Sequence, residues 1–152
     1  MIRPDAPPPS KTADIPRDIR AGTEEDYHFI VATWTTSLKG IYPNRHAIDF
    51  FAKKMPDIRS HVERANTLVA YVAEEPDDIL SYLVFLRRGN LVIAHFSYTK
   101  DLARRQGHLS ALLELANPSG LPLTFTQPAR NENVMRHLCR KYIFDPSLWG
   151  ET

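Results

Sequence analysis

The most concentrated chemistry in the chain lies between Tyr98 and Leu113, in the run Tyr98-Thr99-Lys100-Asp101-Leu102-Ala103-Arg104-Arg105-Gln106-Gly107-His108-Leu109-Ser110-Ala111-Leu112-Leu113. A strand-forming segment ends, a basic turn with one glycine follows, and an apolar helical repeat begins. The start of a helix presents backbone N–H groups that have no intrahelical acceptor, together with the positive end of the helix dipole. That pairing binds phosphate. Arg104 and Arg105 add permanent cations suited to a diphosphate. Gly107 lets the backbone come close to a bound group, and Ser110 offers a hydroxyl in the first helical turn. The same pattern also describes an ordinary strand-to-helix turn with solvated charges, and a single-glycine turn does not decide between the two.

Residues 1–16 hold five of the 12 prolines, including Pro7-Pro8-Pro9, and few large apolar groups. They read as a disordered tail outside the core, with one domain over 17–152. Asp18-Ile19-Arg20 is a short strand. Thr23 is an N-cap followed by Glu24, Glu25 and Asp26, acidic groups that suit the positive end of a helix. Tyr27, Ile30, Val31 and Trp34 then recur at helical spacing, and Gly40 and Pro43 end that helix. Residues 44–66 read as helical pieces broken near Pro56, with Ile58, Val62 and Ala65 on the buried side. Strands follow at Thr67–Ala73, Ile79–Leu86 and Leu91–Tyr98, with turns at Pro76-Asp77-Asp78 and Arg88-Gly89-Asn90. Gly107 opens a helix that Pro118 and Gly120 stop. Leu121–Thr126 is a strand, Asn131–Tyr142 a helix, and Phe144–Trp149 a last strand. The order is that of an α+β fold with an antiparallel meander.

The bulk composition narrows the function. With 152 residues and 43% hydrophobic content, the chain suits one packed core. Its 19 basic and 18 acidic residues leave a formal net charge of +1, which gives no general attraction to nucleic acid or membrane. Arg136, Arg140 and Lys141 share one helix side and read as a solvated face. The lone Cys139 supports neither an internal disulfide nor a multi-cysteine zinc site, and the six histidines form no compact metal motif. No apolar run approaches a membrane span, and no signal-peptide core opens the chain. The expected location is the cytoplasm.

The Arg104–Leu113 run resembles the central acyl-CoA motif of the GNAT superfamily of N-acetyltransferases, Gln/Arg-x-x-Gly-x-Gly/Ala. Arg104 and Gly107 match its first two fixed positions, while Leu109 stands where the family has Gly or Ala. The element order from Ile19 to Trp149 also agrees with that family. The segment Thr67–Leu115 is similar to GNAT-like proteins of tailed phages. The resemblance implies an α/β/α sandwich with a mixed, mostly antiparallel twisted sheet of about six strands flanked by helices. It implies acetyl-CoA, or another acyl-CoA, as cosubstrate, with no metal. The pyrophosphate would lie on Arg104, Arg105, Gln106, Gly107, His108, Leu109 and Ser110. The pantetheine arm would pair with the strand end Ser97-Tyr98-Thr99. The acyl group would lie where this strand diverges from Leu121–Thr126.

Direct transfer to an amine needs a polarised thioester carbonyl, a base for the amine and an acid for the leaving thiolate. The family's leaving-group acid is a tyrosine on the last helix, and the matching position in Leu138-Cys139-Arg140-Lys141-Tyr142-Ile143-Phe144 is Cys139. His95 is the first choice of base, in the strand that carries the cofactor edge, and strand alternation puts Ser97 on its face. Glu74 is the second. His28, His46, His61 and His137 read as surface or helix residues. The amine acceptor is unspecified, and the oligomeric state is open, a homodimer included.

Overall fold

The computed structural model describes residues 14–41, 47–127 and 142–150. Strand β1 spans Arg17–Ala21, followed by helices α1 (Glu24–Ile41) and α2 (Ala47–Arg64). The junction between β1 and α1 is locked by one carboxylate. The Thr23 N–H donates to Asp26 Oδ2 at 2.8 Å, one half of a capping box. Arg20 holds the same group in a two-pronged contact, Nη1 to Oδ2 at 2.6 Å and Nη2 to Oδ1 at 2.8 Å. Burial alone would raise the Asp26 carboxyl, but Arg20 and the Thr23 N–H outweigh it and hold the group below the usual carboxylate value. Along α1, Ile30, Trp34 and Leu38 are fully buried, four residues apart on one face as the sequence spacing predicts.

The expected break at Pro56 does not occur, and α2 runs through it. Pro56 is exposed, so its ring removes one backbone hydrogen bond without disturbing the buried side at Ile58 and Val62. Strands β2 (Asn66–Val72), β3 (Glu75–Arg88) and β4 (Leu91–Thr99) continue from β1 as an antiparallel meander. The β2–β3 turn falls at Ala73-Glu74 rather than at Pro76-Asp77-Asp78. Val72 pairs with Glu75 and Tyr71 with Ile79, so Pro76, Asp77 and Asp78 form a bulge between two rungs. A proline, with no N–H to give, is tolerated there.

Helix α3 (His108–Ala116) crosses over to β5 (Leu123–Phe125), which runs parallel to β4, and β6 (Tyr142–Phe144) runs parallel to β5. Of the helix expected over Asn131–Tyr142, only Tyr142 falls among the described residues, and it belongs to β6. The last strand is shorter and earlier than Phe144–Trp149, because Pro146–Gly150 closes into a 3-10 turn. The six strands lie in sequence order in one sheet. Alternation sorts their side chains: Val69, Tyr82, Val84 and Phe96 pack under α1 and α2, while Ala70, Leu83, Phe85 and Ala94 pack under Leu112 and Leu113 of α3. The result is an α+β sandwich of helices, mixed sheet and helix. Asp14–Pro16, assigned from sequence to the tail, lie along this frame: the Ala73 N–H donates to Pro16 O at 3.0 Å. No helix among the described residues is long and apolar enough to cross a membrane.

The Asp26 junction predicts an acid-sensitive fold. Its depressed carboxyl contributes stability above the unfolded aspartate value of about 3.9 and loses it as pH falls through the folded value. Asp26→Asn should cost about 1–3 kcal/mol at neutral pH in urea unfolding. It should also flatten the stability profile below about pH 4 relative to wild type.

Candidate functional site

The loop after β4 is shaped by backbone conformation before any side chain acts. Asp101–Ala103 form a single 3-10 turn. Arg105 then adopts φ 62° and Gly107 φ 81°, two left-handed residues around Gln106. That region costs a β-carbon-bearing residue such as Arg105 some strain and costs glycine little. Gly107 is the N-cap of α3, and the first helical bond runs from Ala111 N to Gly107 O at 3.0 Å. The N–H groups of His108, Leu109 and Ser110 therefore come before the first intrahelical donor and face the turn. No side chain caps this end.

Around this turn the charges are arranged unevenly. Arg104 Nη2 lies 2.8 Å from Asp101 Oδ1, with both side chains largely exposed, and such pairs exchange partners at little cost. Arg105 is exposed. Leu109, the departure from the family motif, packs against the α3-side core with Leu112 and Leu113, so its bulk is directed away from the turn. His108 is buried at 1% exposure and belongs to the underside of the loop rather than its open surface. Its Nδ1 lies 3.2 Å from Arg17 Nη1, and its Nε2 lies 3.1 Å from Gln106 Oε1. Burial, reinforced by the neighbouring Arg17, pushes this imidazole below its ordinary value. Arg17 was not singled out by sequence; the two residues are 91 positions apart.

The second part of the site is a gap in the sheet. Strand β4 pairs with β5 only over Val92↔Leu123, Ile93↔Thr124 and Ala94↔Phe125. One more bond follows, from Thr126 N to Ala94 O at 3.1 Å. Beyond it, Phe96–Thr99 have no β5 partner among the described residues. On the other edge β4 stays paired with β3, Ser97 with Leu83, Tyr98 with Tyr82 and Thr99 with Ser81. Tyr98 stacks on Tyr82 at 5.3 Å. The Ser81 hydroxyl donates to Tyr98 O at 2.6 Å and lies 3.0 Å from Thr99 Oγ1. The strand end is therefore held rigidly from one side and left open on the other.

His95 sits where this gap begins. Val84 pairs with Phe96 and Phe85 with Ala94, which makes His95 the extra residue of a β-bulge. The bulge breaks the expected alternation. His95 and Phe96 both turn toward α1 and α2, whereas Ser97 pairs with Leu83 of the opposite cluster. His95 is fully buried, with Nδ1 2.9 Å from Thr126 Oγ1. Its ring stacks on His61 at 3.9 Å and meets Trp149 edge-on at 5.5 Å. Trp34 stacks on Phe96 at 4.9 Å and on His61 at 6.3 Å. His61, expected as a surface or helix residue, is thus 2% exposed and part of this group; its place beside Val62 on the apolar stripe of α2 is the signal that could have found it. Trp149 completes the group and donates Nε1–H to Asp57 Oδ2 at 3.2 Å.

Glu74 is not brought to this place. It is exposed at the β2–β3 turn with φ 69°, and the register, which runs from Val72↔Glu75 to Thr67↔Val84 along β2, puts it on the order of 20 Å from the rungs that flank His95. Cys139 lies outside the described residues. Among those described, no three His, Cys, Asp or Glu side chains group as metal ligands.

No protein-family model matches the sequence, and a search of curated proteins returns no match. Solved structures share the fold. A possible acetyltransferase from Clostridium difficile 630 aligns with a TM-score of 0.59 at 15% identity, over 85% of this chain and 92% of that one. The ribosomal-protein-alanine N-acetyltransferase of Brucella melitensis biovar Abortus 2308 gives 0.54 at 16% identity, over 80% and 88%. A GNAT family acetyltransferase from Brucella melitensis, solved in complex with acetyl-CoA, gives 0.50 at 13% identity, over 78% and 80%. The chain has the fold of the GNAT acetyltransferases.

Gly107→Ala tests the turn. A Cβ there would meet nothing within 4 Å, so the cost is conformational alone. It should be about 1 kcal/mol, read as a lower urea midpoint with an unchanged m-value. Wild-type stability in this variant would show that the left-handed turn relaxes freely.

Proposed function

We propose that the protein is an N-acyltransferase that moves an acetyl or related acyl group from acyl-CoA directly to a primary amine of a small molecule or protein. The observation that carries this reading is the parting of β4 from β5 after Ala94, next to a strand edge that leads into the Gly107-capped start of α3. Open backbone groups on Ser97 and Thr99, on either side of Tyr98 whose carbonyl is taken by the Ser81 hydroxyl, suit the amides of a pantetheine arm, which would add as a short strand. The N–H groups at His108–Ser110, with Arg104 and Arg105, suit a pyrophosphate. Gln106 and His108 set the turn, and Leu109 anchors it to the core.

In this reading the amine nitrogen attacks the thioester carbonyl carbon, the C–S bond breaks, and CoA leaves as the thiolate. His95, whose Nδ1 lies 2.9 Å from Thr126 Oγ1, is the proposed base that takes the amine proton. Cys139 is the proposed acid for the thiolate, from its match to the family's tyrosine position. Glu74, the second choice of base, loses support to its distance along the strand. We place the protein in the cytoplasm. A second reading is favoured by the complete burial of His95: a GNAT-like module, of tailed-phage origin, that binds acyl-CoA without turning it over.

Acetyl-CoA at 100 times its dissociation constant should stabilise the fold by about 2.7 kcal/mol, seen as a raised Tm. No shift at millimolar acetyl-CoA would remove both readings. Asp101→Asn, which releases Arg104, should tighten acetyl-CoA a few-fold in a salt-sensitive way. With an amine that supports thiol release, His95→Gln should lower kcat by about 10²–10⁴-fold while leaving acetyl-CoA affinity near wild type. Binding without thiol release across a broad amine panel would favour the module.

A further inference from the structure

The loop that faces the proposed pyrophosphate is fastened from behind by Ile15 and Arg17. Arg17 Nη1 lies 3.4 Å from Gln106 O and 3.2 Å from His108 Nδ1. The Ile15 N–H donates to Gln106 Oε1 at 2.8 Å. His108 Nε2 reaches the same oxygen at 3.1 Å, and Gln106 Nε2 donates to Leu102 O at 3.3 Å. These contacts fix the protons. A guanidinium only donates, so His108 Nδ1 accepts, the imidazole is neutral, and its one proton sits on Nε2. That proton points to Gln106 Oε1, an amide oxygen with room for two donors. The Gln106 side chain is oriented by both, and its own N–H₂ is turned to Leu102.

A second proton on His108 has no acceptor in this arrangement. It would sit on Nδ1, donor against donor and cation against cation with Arg17. Of the charged groups acting on the ring, Arg17 opposes that proton and Asp14 favours it, while burial opposes it most. Protonation therefore costs the Arg17 contact, and the Gln106–Gly107 turn loses its backing.

We propose that Arg17 and His108 form a latch that holds the Gln106–Gly107 turn in the shape that receives CoA, and that protonating His108 releases it. Both are positioning residues: neither faces the open side of the turn, and they act through Gln106 and the Gly107 cap. The proposal rests on the reading that this turn holds the pyrophosphate. Acyl-CoA affinity then falls as pH drops below the ordinary imidazole range, about pH 6.5.

The test uses the full chain in two measurements, amide hydrogen exchange without ligand and calorimetric titration with CoA. At about pH 7.5, Arg17→Met should speed exchange of the amides at residues 106–109 by about tenfold, leave the β3–β4 amides unchanged and weaken CoA several-fold. Arg17→Lys, which keeps the charge, should restore part of both. In wild type, acidification below the ordinary imidazole range should move both readouts progressively toward the Arg17→Met behaviour. His108→Gln keeps an acceptor and a donor but does not titrate, and should remove most of that acid response. Unchanged loop exchange in Arg17→Met, loss of protection across the whole sheet in that variant, or an undiminished acid response in His108→Gln would overturn the latch. Failure of CoA to bind at about pH 7.5, with loop exchange behaving as expected, would overturn the pyrophosphate reading and leave the latch as a feature of the loop.

Discussion

Strand β4 answers to two neighbours that ask for different geometries. Strand β3 pairs with it from Leu91 to Thr99, while β5 pairs with it for three rungs and then departs. A strand held on one side and released on the other presents backbone donors and acceptors that need partners. The bulge at His95 stands at that point of release. It absorbs one extra residue, sharpens the local twist and turns two successive side chains to the same face. The rest of the site follows from this constraint. Thr126, at the end of the short β5, meets His95 because the strands are only starting to part there. The β4 end points at the turn that starts α3 because β3 keeps it straight.

Much of the fold was legible in the sequence because its signals are local. The helical spacing of Ile30 and Trp34, the alternation along β2–β4 and the glycine before His108 each depend on a few neighbouring residues. Where a local signal failed, a longer-range partner had decided the matter. Pro76-Asp77-Asp78 is a sound turn sequence, but the β2 register turned it into a bulge, and Arg20 Nη2 bonds Pro76 O at 3.0 Å. Pro56 reads as a helix break, but its solvent-facing position, opposite the buried Ile58 and Val62, let α2 pass through it. His61 shares the apolar stripe of α2 with Ile58 and Val62, but the ring it stacks on, His95, lies on the sheet and outside any local window.

The site divides in the same way. The cation-rich turn was readable from composition, and the structure added the left-handed residues that shape it. Leu109 departs from the motif's Gly or Ala; its side chain belongs to the core, so the departure exchanges a small residue for an anchor. The alternation that placed Ser97 beside His95 was overridden by one inserted residue in the ladder. A bulge is invisible to period-two reasoning, because it leaves both flanking segments perfectly alternating.

The contacts of Arg17 with Gln106 and His108 join residues 89 and 91 positions apart. The β2–β3 and β3–β4 hairpins, by contrast, close over two-residue turns. Short loops close early, and distant contacts wait until the chain entropy between them has been spent. The meander can therefore assemble first, but the turn before α3 gains its backing only when β1 has zipped onto β2 and carried Arg17 across the sheet. Maturation of the turn is thus the natural last step of folding, and a chain with a complete hydrophobic core can still be one docking event short of a finished site.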